Sequence, residues 1–117
     1  MSTSPAPRIL VDESLPIELT DDLGLPSVRT VRGMGWAGLK NGELIKRAVL
    51  AGFTHLLTAD QNLEFQQNIR SSELAIIVLR GGTRIHEVRP LIPAILTSIP
   101  LVGPGQVIRL GVPESKA

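Results

Sequence analysis

Two aspartates in this sequence each come at the end of an apolar run that is typical of a buried strand. Asp12 follows the run Ile9–Val11, and Asp60 follows the run His55–Ala59. In an α/β sheet, the chemistry is placed at the carboxyl ends of the strands. If these two strands lie side by side, both carboxylates reach one rim of the sheet. Asp12 and Asp60 are therefore the leading candidates for a functional site.

Carboxylates that converge from separate strand ends are suited to binding one or two Mg²⁺ or Mn²⁺ ions, because hard cations prefer oxygen ligands. Such ions can activate a water molecule and stabilise the leaving oxygen of a phosphodiester. Glu43 is a third candidate ligand, since it lies in the first turn of a predicted helix. Glu13 and Asn62 are weaker candidates. Local explanations stay open: Asp12 could cap a turn, Asp60 could cap a helix, and Glu43 could interact with a helix dipole.

Basic side chains near the predicted rim could contact a phosphate. The segment Arg80–Arg84 could present backbone N–H groups and two guanidinium groups at the start of a helix. Lys40 is a further, weaker candidate for substrate binding. An ordinary glycine turn explains residues 80–84 equally simply, and we favour it because their spacing matches no phosphate-loop pattern.

The composition excludes several classes of function. The sequence has no cysteine, which excludes disulfides, thiolate zinc sites and cysteine nucleophiles. A formal net charge of +1 argues against the broad basic surface of a nucleic-acid coat protein. The aromatic residues are only Trp36, Phe53 and Phe65, too few for stacking many bases. No apolar run approaches the roughly 18 residues of a membrane span, and the amino end does not resemble a signal peptide. We therefore expect a cytoplasmic protein.

Strand and helix patterns alternate along the chain. The predicted strands are 9–12, 28–31, the run before Asp60, 74–79 and 106–110. The predicted helices are 14–22, 42–51 with Asn41 as N-cap, 61–70 and 83–98, the last kinked or split by Pro90 and Pro93. The alternation predicts one α/β domain over 1–117, a three-layer doubly wound sandwich with a mostly parallel five-stranded sheet. Residues 1–7 and 112–117 are predicted to be flexible tails.

Three segments together resemble the small PIN-like proteins related to the toxins of VapC-type toxin–antitoxin pairs. They are ILVDESLP at 9–16, GWAGLKNGEL at 35–44 and LTADQNLEF at 57–65, within a likeness that extends from about Arg8 to Leu110. The resemblance implies a reduced PIN fold with a five-stranded parallel sheet. In active relatives it also implies Mg²⁺- or Mn²⁺-dependent RNA cleavage by an acidic cluster, to which Asp12, Glu43 and Asp60 correspond.

The resemblance also implies binding partners, and the sequence departs from the family pattern at two positions. An active relative of this kind would be an endoribonuclease with an RNA substrate and a cognate antitoxin protein, and toxin-like relatives commonly form homodimers. Asn41 and Asn62 stand where many relatives carry aspartate. Two negative charges that would attract a metal ion are therefore absent, although an amide oxygen can still bind Mg²⁺.

Two other classes of function stay open. One is a catalytically silent PIN-like module that binds a protein partner, consistent with the two asparagines and with candidate contact residues such as Trp36. The other is a phosphoacceptor receiver domain, which also has acids after its first strand and an aspartate after its third. A receiver additionally needs a hydroxyl residue after the fourth strand, which Thr83 could supply. It also needs a lysine after the fifth strand, where the sequence offers only Lys116 in the tail.

Overall fold

The computed structural model describes residues 6–61 and 73–111, which form a five-stranded sheet with helices on both faces. The sheet order is β2-β1-β3-β4-β5, and every pairing is parallel. The predicted α/β class with a five-stranded parallel sheet is therefore confirmed. The strands are β1 Ile9–Val11, β2 Val28–Thr30, β3 His55–Thr58, β4 Ala75–Arg80 and β5 Val107–Gly111. The helices are α1 Glu18–Asp22, α2 Asn41–Leu50, α3 Ile85–Val88 and α4 Ile92–Ser98.

The three inner strands are buried almost throughout. Every residue of β1 and β3 is buried, and so are all residues of β4 except Arg80. Continuous apolar runs of this kind are typical of parallel strands that are covered on both faces. The outer strands β2 and β5 are only partly buried, which agrees with the predicted edge position of β2. β3 lies in the middle of the sheet, and β4 is enclosed between β3 and β5.

Alternate residues of the inner strands point to opposite faces, and each face has its own helices. One apolar cluster joins the sheet to α1, α3 and α4, and the second joins it to α2. The period of two along a strand produces this division, because successive side chains project to opposite sides. The sheet thus lies between two helical layers. The first face contributes Ile9, Val11, Leu57 and Ile77, and the second contributes Leu10, Leu56 and Ile76.

Helix α2 begins and ends one residue earlier than predicted, and Gly52 closes it. Gly52 follows it with a φ of 88°, a left-handed conformation that favours glycine. The N–H of Phe53 donates to the carbonyl of Ala48 at 3.0 Å, which completes a Schellman-type end. Asn41 is the first residue of the helix and makes no capping hydrogen bond, so its prediction as the N-cap is wrong. Its side chain contacts the β3 loop instead, as described below.

The start of α1 differs from the prediction, and the predicted helix over 83–98 is divided into shorter segments. α1 begins at Glu18, four residues after the predicted start at Ser14, whose hydroxyl binds Asp12 instead. The predicted helix over 83–98 is split into α3, a 3₁₀ turn over Arg89–Leu91 and α4, as expected from its two prolines. The predicted helix over 61–70 lies, apart from its first residue, outside the described residues, as do residues 1–5 and 112–117. No helix in the described ranges has the length and apolar character of a membrane span.

Candidate functional site

The strand order creates a topological switch point between β1 and β3. The chain passes from β1 to β2 on one side, whereas β3 pairs with the other side of β1. In open α/β sheets, ligands bind outside the carboxyl ends of the strands at such a point. Asp12 directly follows β1, and Asp60 comes two residues after β3. The two aspartates therefore leave the sheet at the same edge, beside the switch point.

Two hydroxyl groups hold the carboxylate of Asp12. Thr58 Oγ1 donates to Asp12 Oδ2 at 2.9 Å, and Ser14 Oγ donates to the same oxygen at 2.7 Å. Each hydroxyl also accepts a backbone N–H from the loop after β3, Thr58 from Asp60 at 3.0 Å and Ser14 from Ala59 at 3.1 Å. We call these two chains of hydrogen bonds the hydroxyl relay. The relay fastens Asp12 to the segment that carries Asp60.

The relay uses only one oxygen of the Asp12 carboxylate. Both side-chain donors reach Oδ2, and Oδ1 accepts no hydrogen bond from residues 6–61 or 73–111. The Asp12 side chain is half-buried, and Thr58 is only 1% exposed. A buried hydroxyl must find its partners within the protein, and Thr58 does so through Asp12 and Asp60. The relay thus leaves Oδ1 available to a cation or a proton donor from solution.

Asp60 is held from the other side by helix α2. Asn41 Nδ2 donates to Asp60 Oδ2 at 3.2 Å. Asn41 is the first residue of the helix, so Asp60 lies beside the positive end of the helix dipole, which favours a negative charge there. The side-chain donors described for the two carboxylates, Ser14 and Thr58 for Asp12 and Asn41 for Asp60, are all neutral.

The two glutamates predicted as ligands make other contacts. Glu13 Oε2 accepts the backbone N–H of Gly38 at 3.0 Å, which fastens the loop between β2 and α2 to the end of β1. Glu43 Oε2 accepts from Arg47 Nε at 3.0 Å, and its side chain is 47% exposed. In the ranges that the structure describes, no three acidic or histidine side chains are grouped closely enough to hold a metal ion. The predicted cluster of Asp12, Glu43 and Asp60 is therefore not formed there.

The helical period explains why Asn41, and not Glu43, contacts Asp60. Leu44, Ile45 and Ala48 form the buried face of α2. Asn41 lies three, four and seven positions before these residues and so shares their face, which is turned towards the sheet. Glu43 is two positions further along, roughly 200° around the helix from Asn41. Its side chain therefore lies on the solvent side.

The basic candidates all lie at the carboxyl-end edge of the sheet. Lys40 precedes α2 and is exposed, Arg80 ends β4, and Arg84 is exposed just before α3. Gly82 has a φ of 129°, and a Cβ there would overlap the Glu87 carboxylate. Glu87 Oε1 accepts the backbone N–H of Arg84 at 3.1 Å, so this turn serves to start α3. These contacts support the ordinary glycine turn.

The loop of Asp60 is also fastened to β4. Gln61 Nε2 donates to the carbonyl of Leu79 at 3.0 Å and to that of Ala59 at 3.2 Å. Strands β1, β3 and β4 are thus linked through side chains at one edge. The weaker ligand candidate Asn62 lies outside the described residues.

Sequence reasoning gave no site role to Ser14 or Thr58, and it related Asn41 to the site only as a position where many relatives of the resembled family carry aspartate. A signal was nevertheless present for the two hydroxyls, since Ser14 stands two residues after Asp12 and Thr58 two residues before Asp60. Side chains at that spacing can bond back to the backbone and to neighbouring acids. For Asn41 the signal was its position on the apolar face of α2.

Comparison of the chain with protein-family models, with curated proteins and with solved structures finds no match. A function for this chain therefore rests on the geometry of the paired aspartates, the hydroxyl relay and Asn41.

Proposed function

We propose that this chain is a PIN-like, Mg²⁺- or Mn²⁺-dependent ribonuclease, the toxin-like member of a toxin–antitoxin pair, with Asp12 and Asp60 at the centre of its site. The observation that carries the proposal is the hydroxyl relay, which links the carboxylate of Asp12 to the backbone N–H of Asp60 at the switch point of the sheet. The PIN-like identity rests on the resemblance of segments 9–16, 35–44 and 57–65.

The carboxylate oxygens of Asp12 and Asp60 are suitable ligands for a partly hydrated divalent cation. Mg²⁺ is commonly bound through one or two carboxylates and keeps several waters and substrate phosphate oxygens as its other ligands. Asp12 and Asp60 would hold the ion, and a third acid is not required for such a site. When bound, the ion supplies an activated water and neutralises negative charge on the phosphodiester.

The residues around the pair have supporting roles. Ser14 and Thr58 fix the orientation of Asp12, and Asn41 fixes that of Asp60. The exposed side chains of Lys40 and Arg84 lie at the same edge of the sheet and attract the phosphates of an RNA strand. The binding of RNA should therefore weaken as the salt concentration rises.

A cleavage assay tests this proposal. Wild-type protein is incubated with single-stranded RNA in the presence of Mn²⁺, Mg²⁺ or EDTA, and the variants Asp12→Asn and Asp60→Asn are compared with it. The matched control is Asp21→Asn, the same chemical change at an exposed residue of α1. We expect metal-dependent cleavage that is lost in both site variants and kept in the control. Cleavage that persists in EDTA or in Asp60→Asn contradicts the proposal.

A receiver domain is a second candidate, favoured by the strand order. The order β2-β1-β3-β4-β5 also occurs in flavodoxin-like folds such as receiver domains. Thr83 lies after β4, but Arg109 is part of β5, and the only lysine that follows it in the sequence is Lys116. This candidate therefore ranks below the nuclease. A shift of the Asp60 amide resonance by beryllium fluoride, a phosphoryl mimic, would support it.

A catalytically silent PIN-like module that binds a protein partner is a third candidate. The observation that favours it is the Asn41–Asp60 hydrogen bond, which positions the aspartate with a neutral donor. In that case Asp60→Asn leaves partner binding intact, and no RNA cleavage is detected with any divalent cation.

A further inference from the structure

A cavity of about 710 Å³ lies at the opposite end of the sheet from Asp12 and Asp60. Residues at the beginning of β3 and β4 form its floor, and the segment 99–104 after α4 forms one side. Its volume falls in the range of about 300–1,000 Å³ that is usual for sites binding small organic molecules. Because it is remote from the paired aspartates, its role is independent of the proposed nuclease function.

The walls of this cavity are mainly apolar. Leu25, Leu96, Ile99 and Val102 contribute aliphatic side chains, and three prolines also line the cavity. Ile99 and Val102 are buried, whereas Leu96 is 37% exposed and lies where the cavity opens to solvent. Burying the hydrocarbon part of a ligand against such walls is favourable by about 25 cal/mol per Å² of apolar surface removed from water. The cavity therefore favours a ligand with a substantial apolar part.

The imidazole of His55 borders the cavity as an uncharged group. Its Nε2 donates to the carbonyl of Ile99 at 2.8 Å, since a carbonyl can only accept. Its Nδ1 lies 2.7 Å from Oγ1 of Thr54, a hydroxyl that is also 3.1 Å from the carbonyl of Arg8 and has one proton to donate to either. Burial lowers the pKa of His55, with a smaller opposing effect from the Ile99 hydrogen bond. The ring therefore presents no positive charge to a ligand at neutral pH.

Glu73 is the charged member of the described lining. Its side chain is exposed, and it forms no ion pair with any residue in the ranges 6–61 and 73–111. A carboxylate at the edge of an apolar cavity, with no basic partner there, complements a positively charged ligand. We propose that the cavity binds an apolar organic cation, with its hydrocarbon part between Leu25, Leu96 and Ile99 and its ammonium group beside Glu73.

The test uses n-hexylammonium as the probe and NMR of the full chain as the measurement. The imidazole signals of His55 are assigned by comparison with His86→Gln, because the sequence has only two histidines. We expect a saturable shift of the His55 ring signals and of the Ile99 methyl signals. Hexanoate, which has the opposite charge and the same chain length, should cause no saturable shift at equal concentration. Equal binding of hexanoate overturns the proposed charge preference.

Two variants test whether hexylammonium binds in this cavity. Glu73→Gln is an exposed change that keeps the fold, and it should weaken hexylammonium binding about two- to fivefold, as expected for loss of one solvent-screened ion pair. Leu96→Lys places a positive charge at the opening and should abolish the shift. The matched control is Leu101→Lys, the same change at a residue that is 75% exposed and does not line the cavity. Absence of a saturable shift in the wild type, or equal loss in both lysine variants, overturns the proposal.

Discussion

The hydroxyl of Thr58 donates a hydrogen bond of 2.9 Å to Oδ2 of Asp12, across the boundary between β3 and β1. The two residues are 46 positions apart in the sequence, and the parallel register that pairs Val11 with Leu57 brings them face to face. The same hydroxyl accepts the backbone N–H of Asp60. One side chain thus positions both aspartates of the candidate site.

Thr58→Val removes the hydroxyl while keeping the β-branched shape of the side chain. Asp12 then loses one of its two donors, and the Asp60 N–H loses its acceptor in a partly buried place. We expect the free energy of unfolding to fall by about 1–3 kcal/mol, the range for an unsatisfied buried polar group. Urea denaturation at pH 7 measures this loss.

The control for this change is Thr58→Ser, which keeps the hydroxyl and loses one methyl group. Mn²⁺ affinity should fall in Thr58→Val and return close to the wild-type value in Thr58→Ser. If valine and serine lower the Mn²⁺ affinity equally, the hydroxyl does not position the aspartates.

Asn41→Asp replaces a donor to Asp60 with a second negative charge at the same place. Repulsion between the two carboxylates should lower stability in EDTA by about 1 kcal/mol, partly offset by the helix dipole at this first helical position. The added charge should also raise Mn²⁺ affinity, so Mn²⁺ should stabilise this variant more than the wild type. Thermal unfolding with and without Mn²⁺ measures both effects.

Asn41→Ala serves as the control, since it loses the same hydrogen bond without adding charge. It should be less stable than the wild type in EDTA, and Mn²⁺ should stabilise it no more than it stabilises the wild type. An equal response of the alanine and aspartate variants to Mn²⁺ would show that residue 41 is not close to the ion.

Glu43→Gln tests whether this residue takes part in the site. In the structure its carboxylate pairs with Arg47 on the exposed side of α2. Loss of an exposed i,i+4 ion pair should cost only about 0.3–0.5 kcal/mol, and Mn²⁺ affinity should stay within about twofold of the wild-type value. A loss of affinity as large as that in Asp60→Asn would place Glu43 among the ligands after all.

His55 makes stability depend on pH. Burial lowers its pKa in the folded protein below the ordinary value of 6.5, so the unfolded chain binds the extra proton first as the pH falls. The contribution of His55 to the free energy of unfolding is therefore fully present above about pH 6.5. It is lost as the pH falls from there through the pKa of His55 in the folded protein. We expect the free energy of unfolding to decrease over that window, by at most about 1.4 kcal/mol per pH unit for one proton.

The comparison variants for this effect are His55→Gln and His86→Gln. The first should flatten the pH dependence of the unfolding free energy between pH 6.5 and 5.5, even though it also lowers stability at pH 7. The second changes an exposed histidine and should leave the slope as in the wild type. A wild-type slope in His55→Gln contradicts the assignment.

Local sequence patterns predicted the sheet and the positions of the aspartates. The runs before Asp12 and Asp60 are mainly apolar because their strands are covered on both faces, with His55 and Thr58 as the polar members, and the acids stand where those strands end. The split near Pro90 also follows from local chemistry, since proline lacks the N–H that a helix needs. These features depend on residues that are close together in the sequence.

The contacts that hold the site depend on long-range packing and were not predicted. The Thr58–Asp12 bond requires the register between β1 and β3, which sequence patterns do not specify. The choice between Asn41 and Glu43 depends on how α2 is rotated against the sheet. The apolar spacing of Leu44, Ile45 and Ala48 contains that information, but an acidic residue at the helix start suggested a ligand more strongly than an amide did.

The most direct measurement for the central claim is calorimetric titration of Mn²⁺ into the wild-type protein and into Asp12→Asn, Asp60→Asn and the control Asp21→Asn. If Asp12 and Asp60 together hold a divalent cation, the wild type and the control bind Mn²⁺ with equal affinity. Each site variant should then bind at least about tenfold more weakly, a loss of about 1.4 kcal/mol. No binding to the wild type, or equal binding to all four proteins, would contradict the account.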